Sequence, residues 1–254
     1  MTTLTLLTKA NDSSQLEQIG KILHDSLEGL EIETKILDMV ADRWVQIALD
    51  GEDEGIAANY VAKEIGICPV SLQGLKRFSA INGCLISLEK SREELLLDVG
   101  VFQPKTVYAA VPLRVLQAQL VDGRKIALKK IAELYGLCED LPVNIKITSI
   151  IEEEDRVEAE LSNAQLSKFK VWRESLLDRL LVLGASLAEV KVALARATLD
   201  RDIIDVEPLG LLEHALTCKL GTDAAGLIPK IGRSLKKAKF AVFDPKRLRQ
   251  FLEV

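Results

Sequence analysis

What most limits the fold of this chain is the order in which two periodicities follow one another between Gly83 and Leu161. Three β-rich runs come first, Gly83–Leu88, Leu95–Val101 and Val107–Val111. Two helical stretches follow, Leu113–Leu120 and Leu128–Tyr135, the second closed by Gly136. Two more β-rich runs, Val143–Ile151 and Arg156–Leu161, are joined by the acidic turn Glu152-Glu153-Glu154-Asp155. Three strands, a helical connection and two strands is the order of an OB-type barrel, a fold that uses one sheet face and its loops to bind oligonucleotides.

The flanks carry a different pattern. Residues 1–70 read strand, helix, strand, strand, helix: Thr3–Thr8 alternates, and Ser14-x-x-Glu17 resembles a capping box ahead of Leu16, Ile19, Leu23 and Leu27 at helical spacing. Ile32, Thr34 and Ile36, then Trp44–Leu49, give two β-rich runs around the turn Ala41-Asp42, and a helix from Asp53 to Glu64 ends at Gly66. With one more edge strand this becomes a split βαβ sandwich.

Ser162-x-x-Gln165 opens a helix that turns Leu166, Phe169 and Trp172 to one side and leads into the last part. There Arg179–Leu183, a helix boxed by Ser186 and Glu189 with Val190, Leu194 and Ala197 on one side, Ile203–Val206, Leu211–Leu220, a glycine-bearing helix and Phe240–Phe243 repeat the ferredoxin-like order, before a final helix over Pro245–Phe251. The expectation is an α+β chain in three parts: a ferredoxin-like sandwich over 1–75, an OB-like barrel over 76–162, and a ferredoxin-like sandwich with a basic helix over 163–254.

Charge is distributed unevenly over these parts. The chain carries −5 overall, yet Lys219 to Arg249 holds nine Lys and Arg against two acids, while residues 1–70 hold thirteen acids against five bases. Concentrated cations point to an anionic partner more than the overall balance does. Within the basic run, Gly221, Thr222 and Gly226 mark a loop before a helix, where backbone N–H groups and the helix dipole would favour phosphate. Pro229 places the start of the regular helix at Gly226 to Ile228. Ile228, Ile231 and Leu235 then face the sheet, and Lys230, Arg233 and Lys237 share an outer face. Lys219, Lys236 and Lys239 complete the expected phosphate-binding set. The alternative is a plain turn in which Thr222 or Asp223 caps the helix and the lysines are solvated. The G-x-x-x-x-G spacing is not a P-loop, because Leu227-Ile228 stands where Lys-Ser or Lys-Thr would be.

On the barrel the expected surface is Arg92, Phe102, Lys105, Tyr108 and Arg114, cations with two aromatics for base stacking. Tyr135 is the other aromatic candidate.

Other chemistries lack their parts. Cys68, Cys84, Cys138 and Cys218 lie far apart, and His24 and His214 are the two histidines, so no zinc cage or disulfide framework is expected and the thiols read as buried and reduced. Asp98, Asp178, Asp202 and Asp205 read as caps or ion-pair partners, and His214 as structural. There is no hydrolase elbow, metalloprotease motif or dinucleotide fingerprint, and no cofactor or metal is expected. No segment approaches the roughly 18 apolar residues of a membrane span. The expectation is a soluble, cytoplasmic protein without a membrane partner.

The runs LLEHALTCKLGTDAAGLIPKIG, LDRLLVLGAS, RDIIDVEPLG, LLDVGVF and LCEDLPVNIKIT closely resemble an archaeal family of conserved hypothetical proteins, domain of unknown function 2110. The resemblance implies a three-part plan with an OB-type, RNA-binding-like middle and an archaeal cytoplasmic origin. It assigns no residue a role. The reading that follows is a non-enzymatic RNA-binding protein with ribosomal or transfer RNA as partner. A protein-protein interaction or self-assembly module without nucleic acid, pairing the acidic first part of one copy with the basic last part of another in a homo-oligomer or docking on an acidic protein, is the alternative, and an enzyme acting on a phosphorylated small molecule the third.

Overall fold

The computed structural model describes residues 1–253 of the 254-residue chain. The first part contains β1 (Thr2–Lys9), α1 (Ser13–Ser26), β2 (Ile32–Val40), β3 (Trp44–Gly51) and α2 (Glu54–Glu64). The sheet is antiparallel in the order β1-β3-β2, and the helices cover one face through Leu6, Ile19, Leu23, Val45, Ile47, Leu49 and Val61. The further edge strand is reduced to one bridge, Leu6 to Ile67, flanked by Leu7 N to Gly66 O (3.0 Å) and Cys68 N to Thr5 O (2.8 Å). The α1 cap is Asp12, two residues before the expected Ser14. Its backbone is extended and its carboxylate accepts from Gln15 N at 3.0 Å, so Ser14 already lies inside the helix.

The middle part runs β4 (Val70–Ser71), β5 (Ala80–Leu85), β6 (Glu94–Gln103), β7 (Val107–Pro112), α3 (Leu113–Leu120), α4 (Leu128–Tyr135), β8 (Pro142–Ile151) and β9 (Arg156–Leu161). Following the hydrogen-bonded pairs gives β5-β6-β7-β9-β8 and back to β5, a closed five-stranded barrel with one parallel pair, β7 with β9. Closure leaves no free sheet edge. Leu95, Leu97, Val107, Val111, Val143, Ile145, Val157 and Leu161 belong to its buried core. The register of β6 shifts between Asp98 and Val101, where Gly100 adopts φ +77°. A Cβ on Gly100 would stand 2.5 Å from Cys68 Sγ, so the glycine lets the linker from the first part cross the barrel wall in contact with it.

The last part contains α5 (Asn163–Ser175), β10 (Arg179–Leu183), α6 (Leu187–Arg196), β11 (Ile203–Pro208), β12 (Glu213–Cys218), α7 (Ala224–Ile231), β13 (Lys239–Phe243) and α8 (Pro245–Glu253). Ser162 caps α5 through Gln165 N, and Ser186 with Glu189 makes both bonds of the capping box on α6. The sheet is antiparallel in the order β11-β12-β10-β13. Strand alternation sends Val182 and Leu216 towards α6 and α7, where Val190, Leu194, Leu227 and Ile231 meet them. Leu181, Leu183, Ala215 and Phe243 point the other way, into the core that holds the barrel. Tyr135, Phe169, Trp172 and Phe243 bridge the two, with ring centroids 5.0 Å apart for Tyr135–Phe169 and 5.3 Å for Trp172–Phe243. Both faces of this sheet are therefore covered. No helix among the described residues is long and apolar enough to cross a membrane.

Candidate functional site

The glycine loop differs from the expectation. The helix α7 begins at Ala224, earlier than Pro229 suggests, because Asp223 caps it by accepting from Ala225 N at 3.0 Å. Pro229 is tolerated at the sixth helical position. The hydrogen bond it forgoes would have gone to the carbonyl of Ala225, an exposed residue, so the loss falls on the solvent side of the helix. A second carboxylate, Asp178, accepts from Ala224 N at 3.4 Å. Two acids thus occupy the helix end where phosphate was expected, and a phosphate there would meet like charge. Gly221 has φ +90° and open space around it, which serves the turn closed by Thr222 N to Lys219 O at 2.9 Å.

The cations do not form one helical face either. Gly232 ends α7, and Ser234 N and Leu235 N fold back on Ile231 O, so Arg233, Lys236 and Lys237 lie on a turn beyond the helix. Lys237 pairs with Asp12 at 2.6 Å, and Lys239 with Asp140 at 2.7 Å and Glu139 at 3.2 Å, all carboxylates of the first two parts. Lys219, Lys230, Arg233 and Lys236 are exposed, and none makes an ion pair among the described residues. These four remain available to an outside anion, while Thr222 is half-buried and Gly226 is a helical residue.

On the barrel, Arg92 and Arg114 are exposed, and Lys105 pairs with Asp155 at 2.6 Å. Tyr108 is half-buried under Lys90 Nζ, 5.0 Å from its ring centre. Phe102 is not a surface platform: it packs in a cluster with Trp44, Cys68 and Cys84, where the first part sits on the barrel wall. Tyr135 is buried and donates to Leu120 O at 2.6 Å. The barrel-side aromatic that faces solvent is Phe78, just ahead of β5, at 66% exposure; Tyr60, on α2 of the first part, is exposed to a lesser degree. Its φ is +64°, a conformation bulky residues rarely hold, and Phe78 N to Ile147 O (2.7 Å) and Ile147 N to Ser79 O (3.0 Å) keep it there. The Arg77 guanidinium lies 5.2 Å from its ring, and Lys76 is exposed beside it. The triplet Lys76-Arg77-Phe78 is visible in the sequence as cations against an aromatic. It stands outside any strand pattern, so periodicity does not single it out.

The three parts meet around buried charge. Lys9 Nζ lies 2.6 Å from Asp98 Oδ2 and 2.8 Å from Asp42 Oδ2, with the Asp98 side chain 1% exposed. Asp98 Oδ1 also accepts from Trp44 Nε1 at 3.3 Å and from Gly100 N at 3.0 Å, so the β6 bulge helps hold the carboxylate. Burial pulls the Lys9 ammonium down, but Asp98 and Asp42 outweigh it and hold it above the ordinary lysine value. Arg43 reaches Asp140 at 2.6 Å. Burial raises the Asp140 carboxyl, yet its bonds from Arg43 and Lys239 leave it below the ordinary value.

Beside this network, Lys9, Trp44, Asn82, Cys84, Pro142 and Glu213 help enclose a cleft of about 290 Å³ at the junction. Burial pushes the Glu213 carboxyl up to about 7, helped by the nearby Asp140 charge and opposed by Leu212 N, which donates to it at 3.3 Å. His214, its neighbour, points to the opposite face of β12, is buried with neither ring nitrogen within hydrogen-bond geometry of a partner among the described residues, and is held below its ordinary value by burial. All four cysteines are free. Three are buried and Cys138 is half-buried, short of the expectation that all would be. No group of three or more metal-ligating side chains occurs among the described residues.

Three family models match the chain: the DUF2110 N-terminal domain over residues 3–69, the DUF2110 central domain over 78–173 and the DUF2110 C-terminal domain over 177–243. No curated protein matches. A crystal structure of a protein from Thermus thermophilus aligns with 99% of this chain and 42% of its own length, at 12% identity and a TM-score of 0.16, a likeness too slight to bear on the fold.

Proposed function

We propose, for a chain that belongs to the DUF2110 family, that its role is to bind single-stranded nucleic acid, RNA foremost, without acting on it chemically. The barrel's strand order, with two helices between its third and fourth strands, supports an OB-type reading. The orders β1-β3-β2 and β11-β12-β10-β13 support ferredoxin-like readings on either side, the first with its fourth strand reduced to the Ile67 bridge. The observation that carries the function is Phe78, an exposed aromatic fixed in a strained backbone with Arg77 across its ring and Lys76 beside it. Single strands are held by such stacking groups flanked by cations, because every base offers a π-face. Lys219, Lys230, Arg233 and Lys236 are the further cations available to the backbone. Head-to-tail assembly through complementary charge is less favoured, since Lys237 and Asp12 already join tail to front within one chain.

The test is fluorescence anisotropy with a labelled single-stranded RNA, its DNA counterpart and a duplex, across a salt series. Phe78→Ala should weaken single-strand binding by about 1–3 kcal/mol, roughly 5- to 150-fold. A wild-type protein that binds no single strand at low salt, or a Phe78→Ala variant that binds as tightly as wild type, would refute the proposal.

A further inference from the structure

We propose that the junction cleft is a binding site for a small organic cation of the alkylammonium class, received by Glu213. The cleft of about 290 Å³ has room for about ten non-hydrogen atoms at the roughly 30 Å³ that each water takes in the liquid. That volume is near the lower end for small-molecule sites. Its walls are polar and apolar in nearly equal measure, and the apolar share includes Leu7, Ile65, Pro142, Pro208, Leu209 and Leu211, contributed by all three parts.

Charge selects the ligand. In the ion-pair network around the cleft, five carboxylates (Asp12, Asp42, Asp98, Glu139, Asp140) answer four cations (Lys9, Arg43, Lys237, Lys239). Glu213 belongs to none of these pairs, and its hydrogen-bond donor is the backbone N–H of Leu212. Lys9, the one ammonium on the cleft wall, is spoken for by Asp98 and Asp42. The other titratable groups facing Glu213 are Glu64 and Cys84 on the cleft wall, with Asp140, Arg43, Lys237 and Lys239 along an adjoining crevice. An incoming anion would meet a site already rich in carboxylate, whereas an ammonium would give Glu213 the counter-ion it lacks and leave its alkyl chain against leucine and proline.

The experiment is isothermal titration of the full chain with 1-aminobutane near pH 8, with butanoate as the matched anion. One equivalent of the amine should bind and butanoate should not. Because the carboxyl titrates at about 7, affinity for the amine near pH 6 should be about a tenth of that near pH 8. Glu213→Gln, close in shape, should weaken amine binding at least about tenfold, the effect of losing a charge-assisted bond. Asn82 is exposed on the cleft rim, so Asn82→Trp should block entry without touching Glu213, giving a second arm should the first variant fail to fold. Phe78→Ala should leave amine binding unchanged, which separates this site from the nucleic-acid surface. Absence of amine binding to the wild type, equal binding of butanoate, or full affinity in a folded Glu213→Gln or Asn82→Trp protein would overturn the assignment.

Discussion

Replacing Asp98 by Asn tests whether buried charge joins the first part to the barrel. The amide keeps an oxygen for Trp44 Nε1 and Gly100 N but removes the charge 2.6 Å from Lys9 Nζ. Breaking a buried pair from one side typically costs about 3–5 kcal/mol, because the partner stays buried and uncompensated. Lys9 keeps Asp42, which is more exposed, so the lower figure applies, about 3 kcal/mol. For a chain of this size that is a fall in Tm of about 6–12 °C. Removing the ammonium as well, in Lys9→Met with Asp98→Asn, should recover most of the loss, to within about 1 kcal/mol of wild type. Urea denaturation of the wild type, the two single variants and the double variant gives the coupling directly, expected at about 2 kcal/mol or more. A loss under about 1 kcal/mol for Asp98→Asn, or a double variant as damaged as the sum of its parts, would show that the pair is incidental to the junction.

Gly100→Ala should destabilise by more than about 2 kcal/mol, since it combines a positive-φ penalty with a Cβ placed on Cys68; thermal denaturation measures it. Glu213 should make stability fall as pH rises. The folded carboxyl holds its proton up to about 7 while the unfolded one releases it near the ordinary value, so the folded state binds more protons in between. On the order of 3 kcal/mol should be lost between about pH 4.5 and 7, and Glu213→Gln should flatten that slope in denaturation run at several pH values. Lys230, Arg233 and Lys236 changed together to Ala should reduce the salt slope of single-strand RNA binding by up to about 2 units, read by anisotropy, with Tm nearly unchanged because all three are exposed.

Local signals in the chain carried far. Ser162 and Ser186 cap where their spacing to Gln165 and Glu189 placed them, and the alternation of residues 156–161 became β9 without adjustment. Such features depend on neighbours within four residues. The misses involve partners that are distant in sequence or a competition between adjacent signals. Asp12 displaced Ser14 because two capping residues lay within one turn, and Asp223 with Asp178 anchored α7 ahead of the proline. Lys9 and Asp98 are 89 residues apart and Arg43 and Asp140 97 apart, so no period or motif could pair them. Phe102 lost its expected surface role to Trp44, a residue of another part, and Phe78 gained one through a backbone angle that composition does not encode.

The C-terminal sheet, walled in on both sides, has a bearing on how the molecule can be dissected. A fragment ending after the barrel would leave Phe169 and Trp172 missing, and one beginning at β10 would turn Leu181, Leu183, Ala215 and Phe243 out to water. Either half should precipitate or demand its complement, and co-expressed pieces should reassemble through the aromatic quartet when one of them keeps α5 and with it Phe169 and Trp172. Limited proteolysis ought therefore to sever the first seventy residues long before it parts the remainder.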